Sequence, residues 1–208
     1  MTTGRAKVVL LTGAPATGKS TLAGYVQGHV QPVRSIDYGE LLLCHLRRSS
    51  NLPVSYRRMR TLSAAVISHR DVEKLDNRLI SEIRRLRRNC NIIIDSHAVT
   101  RERFGFRVTP FSLDQLGRLD LDAVGALHCD PRILAARIKA HPEGRRKVTS
   151  EQARHHQFLQ QAVAITYAIA CGCPLFVLDN TGQTLSEAAG DFIDLLRRIG
   201  AKLHPPTS

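Results

Sequence analysis

Val8-Val9-Leu10-Leu11-Thr12-Gly13-Ala14-Pro15-Ala16-Thr17-Gly18-Lys19-Ser20-Thr21 opens as an apolar, β-branched run, breaks into a loop bounded by two glycines, and ends on Lys-Ser-Thr. The run predicts a buried strand and the residues from Ser20 to Val30 a helix, so Gly13–Ser20 is the G-x4-GK[ST] pattern in its required setting, after a strand and opening a helix. Backbone N–H groups of such a loop, together with the helix N-terminus, attract phosphate oxygens. Lys19 can reach the β- and γ-phosphates of a nucleotide, and the Ser20 hydroxyl can ligate Mg²⁺. A glycine-rich strand-to-helix turn with no ligand would not need Lys19 and Ser20 together.

Outward from that stretch the same alternation repeats. Apolar runs at Val33–Asp37, Asn91–Asp95, Ala123–Cys129 and Pro174–Leu178 are separated by helical periodicity at Gly39–Arg48, Ala64–Arg88, Pro131–Ala140, Ser150–Cys171 and Leu185–Gly200. Near-continuously apolar strands alternating with helices predict an α/β fold with a five-stranded parallel sheet covered on both faces. Phe158–Leu178 carries no charge over 21 residues, the length of a membrane span. Gly172 and Pro174 divide it, and Gln160, Gln161 and Thr166 interrupt it, so it reads as a buried helix followed by a buried strand. Two insertions stand out: residues 38–88, longer than a crossover helix requires, and residues 140–149, short, Gly/Pro-punctuated and cationic.

The chain has 208 residues, with 43% hydrophobic and 23% charged. These values suit one globular domain with a core of its own and exclude collagenous, coiled-coil and disulfide-scaffold classes. Five scattered cysteines with no Cys-x2-Cys pair argue against a zinc site and for reduced thiols. The N-terminus runs straight into the first strand without a signal-peptide core, so the expectation is a cytoplasmic protein with no membrane anchor. The formal net charge is +12, and 24 of the 30 cations are Arg. Arg meets phosphate with a planar, always-charged fork, which points to phosphorylated partners, although an Arg-rich surface composition gives the same count. Asp95 ends an apolar strand where a carboxylate could stand beside the phosphate loop and help hold Mg²⁺; capping the next turn is the alternative role.

Beyond these two motifs the chain resembles the archaeal-type adenylate kinases and their eukaryotic nuclear relatives. The matching pieces occur in order: Gly13–Thr21, Tyr38-Gly39, Met59-Arg60, Ile94-Asp95-Ser96-His97, Gly105-Phe106, Asp130-Pro131 through Arg137-Ile138, Arg145-Arg146, His156-Gln157-Phe158 with Tyr167, and Asp179-Asn180. The resemblance implies a single P-loop kinase domain over residues 1–208, with a monophosphate-binding insertion at about 38–88 and a short lid at about 140–149. It implies phosphoryl transfer from Mg·ATP to AMP or a related (deoxy)nucleoside monophosphate. Arg60 would then grip the acceptor phosphate, Arg137 would lie against the donor adenine, and the segment after Asn180 would border the adenine through its backbone. Arg145 and Arg146 would close onto the transferring group. His97 has the position that in the nuclear relatives is linked to ATP hydrolysis; a structural role is the alternative. Ala16 departs from the Gly common in this family's loop, and Lys147 stands where an acidic residue follows the second lid Arg.

Two other readings stay open. A P-loop kinase acting on a hydroxyl, of a small metabolite or a nucleic-acid 5′ end, would need a base, and Asp37 ends the second strand where one could stand. An ATPase working with an RNA or protein partner could use the clusters Arg47-Arg48, Arg57-Arg58-x-Arg60 and Arg84–Arg88 against phosphates. No aromatic residue is interleaved with those clusters, which leaves them without a stacking platform. Oligomeric state is open.

Overall fold

The computed structural model describes residues 5–49, 55, 69–141 and 146–206. Seven strands and seven helices are described: β1 (Val8–Gly13), α1 (Lys19–His29), β2 (Val33–Asp37), α2 (Tyr38–Ser49), α3 (His69–Leu86), β3 (Asn91–Asp95), β4 (Val99–Arg101), β5 (Phe106–Val108), α4 (Leu113–Leu119), β6 (Ala123–His128), α5 (Pro131–Ala140), α6 (Ser150–Cys171), β7 (Leu175–Asp179) and α7 (Leu185–Arg198). Five strands form one sheet in the order β2-β3-β1-β6-β7, every neighbour parallel, and β4–β5 form a separate antiparallel hairpin.

Alternation along β1 splits the core into two layers. Val8 and Leu10 face a cluster with Leu79, Ile80 and Ile83 of α3, Leu116 of α4, and Ala164 and Tyr167 of α6. Val9 and Leu11 face the other cluster, with Leu22 and Val26 of α1 and Phe192 and Leu196 of α7. Helices therefore cover both faces, as a sheet of all-apolar central strands requires. At the amino-terminal edge Asp122 accepts from the Val8 N–H, and Arg87 donates to Asp122 at 2.6 Å and to the Asp120 carbonyl at 2.7 Å. Arg87 is thus a staple of the fold, and Arg85 pairs with Glu82, so the arginines at 84–88 do not present one free cationic face.

The expected elements are present with ends shifted by a residue or two. Helix α3 is described from His69; the expected start at Ala64, and the cluster at 57–60, lie outside the described residues. One expectation needs correction. The helix–strand pair at 150–179 is not wholly buried: Phe158, Ile165 and Ile169 on α6 are exposed, as is Val177. Strand β7 lies at the sheet edge, with β6 on one side only, so its apolar composition does not reflect cover on both flanks. Among the described residues no helix is long and apolar enough to cross a membrane.

Candidate active site

Parallel register delivers the site residues to one edge. Leu11 and Asp37 are both register partners of Asp95, and Gly13 is the partner of Leu127, so the loop after β1, the end of β3 and the end of β2 open onto the same side. The loop itself needs its glycines. Gly13 has φ +152°, and a Cβ there would sit 2.5 Å from the Leu127 carbonyl oxygen; Gly18 has φ +100°, and its Cβ would meet Asn180 Nδ2 at 2.8 Å. Ala16 holds a left-handed φ of 69° despite its methyl group, where Gly would be unstrained.

Lys19 folds back over the loop, its buried Nζ donating to the Gly13 carbonyl at 2.9 Å and the Ala14 carbonyl at 3.2 Å. Thr17 Oγ1 also donates to the Ala14 carbonyl. Asn180, just past β7, donates from Nδ2 to the Thr17 carbonyl at 2.7 Å, bracing the loop from the opposite wall. Its backbone N–H goes to the His128 carbonyl. Ser20 Oγ donates to Asp95 Oδ2 at 2.5 Å. Asp95 is 5% exposed, and its pKa is raised above the usual carboxylate range by burial, with the Lys19 charge and the Ser20 hydrogen bond pulling the other way. A hydroxyl and a carboxylate held together beside a phosphate loop are the hard oxygen donors that Mg²⁺ takes, so the donor set fits that ion.

A cleft of about 1040 Å³ opens beside this loop. The described residues placed on its wall include Pro15, Ala16, Gly18, Lys19, Ser20 and Thr21, then Asp95, His97, Arg137, Arg146 and Asn180. Gly13, Ala14 and Thr17 form the loop's buried underside. Arg60 and Arg145 lie outside the described residues. Asp37 also reaches the wall, but its Oδ1 accepts from the Glu40 N–H at 3.0 Å, the turn-capping arrangement at the start of α2.

The cleft wall also holds two arginines that the sequence did not single out. Arg101 and Arg107, from the β4–β5 hairpin, line the cleft with buried Nε atoms that make no hydrogen bond. Arg107 Nε lies 3.5 Å from Glu102, an ion-pair distance whose geometry falls short of a hydrogen bond. Tyr38 and Gln115 both donate to the buried Asp76, and the Phe111 N–H donates to Tyr167 Oη at 2.9 Å. Burial pushes the Tyr167 phenol up to about 12, so it is neutral. Strands of three residues give too short an alternation to recognise. A legible cue was the capping box at Ser112–Gln115, which marks α4 and hence the end of an independent segment.

Helix α6 fixes these parts to one another. Gln160 donates to Thr12 Oγ1 and accepts from the Val99 N–H; His156 Nε2 lies 2.9 Å from the Val99 carbonyl; Gln157 clasps both the N–H and the carbonyl of Cys129. The Val99 contact makes Nε2 the protonated nitrogen of a neutral His156, and burial lowers its pKa to about 4.

The five-stranded parallel order with the Gly13–Ser20 loop at the end of its central strand and Asp95 on the neighbouring strand defines a P-loop NTPase of the kinase-like architecture. Within that class the chain belongs to the family described as an AAA domain, whose model matches residues 12–154. It is 23% identical over 194 residues to an adenylate kinase of Methanopyrus kandleri, an alignment spanning 92% of this chain and 98% of the relative. It is 25% identical over 202 residues to an adenylate kinase of Pyrococcus horikoshii, spanning 91% and 94%. The resemblance to archaeal-type adenylate kinases therefore extends along almost the whole chain. Among solved structures, an unliganded sugar kinase from a Janibacter species shares the fold with a TM-score of 0.52 at 13% identity, covering 95% of this chain and 99% of that one.

Proposed function

We propose that the chain acts as one kinase domain over residues 1–208, a nucleoside monophosphate kinase that transfers the γ-phosphoryl group of Mg·ATP to AMP or a related (deoxy)nucleoside monophosphate. The observation that carries this reading is the cleft: about 1040 Å³, lined both by the phosphate loop and by Arg101 and Arg107, whose buried Nε atoms make no hydrogen bond. That volume stands at the top of the usual span for a small-molecule site. Cationic donors on its wall suit an acceptor that is already a phosphate. The likeness to archaeal adenylate kinases supports the same class of acceptor.

In this mechanism the loop amides and Lys19 hold the β- and γ-phosphates, trading the Lys19 contacts to loop carbonyls for contacts to phosphate oxygens. Ser20 and Asp95 would hold Mg²⁺, which would supply charge neutralisation for the transferring phosphoryl group. Asn180 keeps the loop closed from behind. Arg107, with Arg101, positions the acceptor phosphate for in-line attack. Arg137 and Arg146 line the cleft, and the resemblance assigns them the adenine stack and the closing cation; Arg60 and Arg145 are proposed for acceptor and lid on that resemblance alone. His97, exposed at the cleft, orients the attacking group. No general base is required, because a phosphate acceptor is already anionic. A hydroxyl kinase would need Asp37 as base, and its capping of Glu40 argues against that role.

The test is ADP formation from Mg·ATP, first alone and then with each ribo- and deoxyribonucleoside monophosphate, with Lys19→Ala as the blank. Strong stimulation by one monophosphate is expected. Steady hydrolysis indifferent to all of them would overturn the proposal, and near-total loss of transfer in Asp37→Asn would replace it with the hydroxyl-kinase reading.

A further inference from the structure

The β4–β5 hairpin has a second, outward side that the kinase reading does not use. Arg101-Glu102-Arg103-Phe104-Gly105-Phe106-Arg107 alternates cations with aromatic rings, an interleaving absent from the other arginine clusters. Phe104 sits at the turn and is 77% exposed, although an aromatic ring gains by burial. The turn that carries it is fastened. The Glu102 N–H donates to the Gly105 carbonyl at 2.8 Å, and Arg101 Nη1 donates to the carbonyls of Gly105 and Glu102 at 2.9 and 3.2 Å. Beneath the turn, the Arg101 guanidinium lies 5.1 Å from the Phe106 ring centre, and that ring packs 5.4 Å from His155 and 5.0 Å from His156. An exposed ring on a braced turn is a platform that loses little freedom when something stacks on it.

The charge around the platform names its ligand. Arg103 is exposed beside Phe104, Arg107 stands on the cleft rim, and Arg154 and His155 are exposed at the start of α6, against which Phe106 packs. Glu102 is the only acid between His97 and Leu113, and it is buried and paired with Arg107, while the start of α6 adds one exposed acid, Glu151, to Arg154 and His155. A flat apolar ring in a cationic rim suits a ligand with π-faces and regularly spaced negative charge. We propose that this hairpin face, with the adjoining start of α6, docks single-stranded nucleic acid at the mouth of the nucleotide cleft, one base stacking on Phe104 and the neighbouring phosphate meeting Arg103. The site is separate from the phosphate loop and stands whether or not the acceptor is a monophosphate.

The experiment is fluorescence anisotropy with a labelled single-stranded oligonucleotide of about 12 nucleotides, titrated with the full chain at several salt concentrations. Wild type, Phe104→Ala and Arg103→Gln are compared, each checked for an unchanged melting temperature. Both side chains are exposed, so both variants should keep the fold. Wild type is expected to bind, with affinity falling as salt rises. Phe104→Ala should weaken binding roughly tenfold, the loss of one stacked base. Arg103→Gln should reduce the salt slope by about one phosphate contact. A duplex of the same sequence should compete poorly, because its bases are already stacked. No binding at low salt, or binding unchanged by Phe104→Ala, would overturn the proposal. An acidic peptide that competes as well as the oligonucleotide would also overturn it, by reassigning the patch to a protein partner.

Discussion

Acidification should unlock the cleft wall through one buried imidazole. His156 is 3% exposed, its Nε2 is held by the Val99 carbonyl, and its pKa falls from the usual 6.5 to about 4, chiefly from burial, with Lys19, Arg101 and His155 also disfavouring a second proton. A folded-state value below the unfolded one means that the stabilisation is complete above the unfolded value and is lost as pH falls toward the folded one. Each unit is worth about 1.4 kcal/mol, so the difference amounts to about 3 kcal/mol in full, and most of it is lost by about pH 4.5. That is a large share of a typical domain's stability of about 5–15 kcal/mol. Urea unfolding of wild type and His156→Gln at about pH 7.5 and about pH 4.5 isolates the effect, because Gln can still donate to the Val99 carbonyl and the carboxylates titrate in both proteins. Wild type should lose roughly 2–3 kcal/mol more than the variant across the interval. Equal losses would refute the reasoning, showing that His156 takes up its proton in the folded chain as freely as in water.

Three further outcomes follow from the loop. Lys19→Ala should lower ATP-dependent turnover by at least about a hundredfold, the usual consequence of deleting one positioned donor at a developing charge, with a near-native melting temperature; retention of a tenth of the activity would remove Lys19 from the mechanism. Gly13→Ala forces a methyl group to within 2.5 Å of the Leu127 oxygen at a φ of +152°, so urea unfolding should show a loss of about 1–3 kcal/mol together with weakened nucleotide binding. Asn180→Ala deletes the brace on the Thr17 carbonyl, and the KM for ATP should rise several-fold while stability falls by about 1 kcal/mol, checked by steady-state kinetics and melting.

The parts legible in the sequence are those whose signal is long or chemically exclusive. Val8–Gly13 announces a central strand because both its faces are buried, and Lys19 with Ser20 admits few structures other than a phosphate loop. Asp95 could be placed because its strand, Asn91–Asp95, is wholly buried and ends on a carboxylate. Arg101 and Arg107 could not, because their strands span three residues each and their pairing depends on the turn at Glu102–Gly105 rather than on a pattern. The edge position of β7 was equally hidden, since strand order follows from crossover connections and Leu175–Asp179 is apolar enough for the middle of a sheet. Arg87 looked like one cation among several in a basic run; only the fold reveals Asp122 waiting 2.6 Å away. For Asp37, cap and base were both open from sequence; the structure shows the cap, in the hydrogen bond from the Glu40 N–H, and Asp37→Asn tests the base.

Helix α6 measures distance for the rest of the molecule. His156, Gln157 and Gln160 grip the hairpin at Val99, the chain after β6 at Cys129 and the central strand at Thr12, so three segments far apart in sequence are indexed against a single rod. A rod with 3.6 residues per turn tolerates substitution along its outer side but not a change of length between its marks. One residue inserted between Gln157 and Gln160 would swing the later side chain by about 100°, leaving Thr12 and the Val99 N–H with no partner while His156 still held the Val99 carbonyl. Evolution along this lineage can therefore lengthen the hairpin turn or vary the surface of α6, but the spacing from His156 to Gln160 is a ruler whose graduations cannot slip.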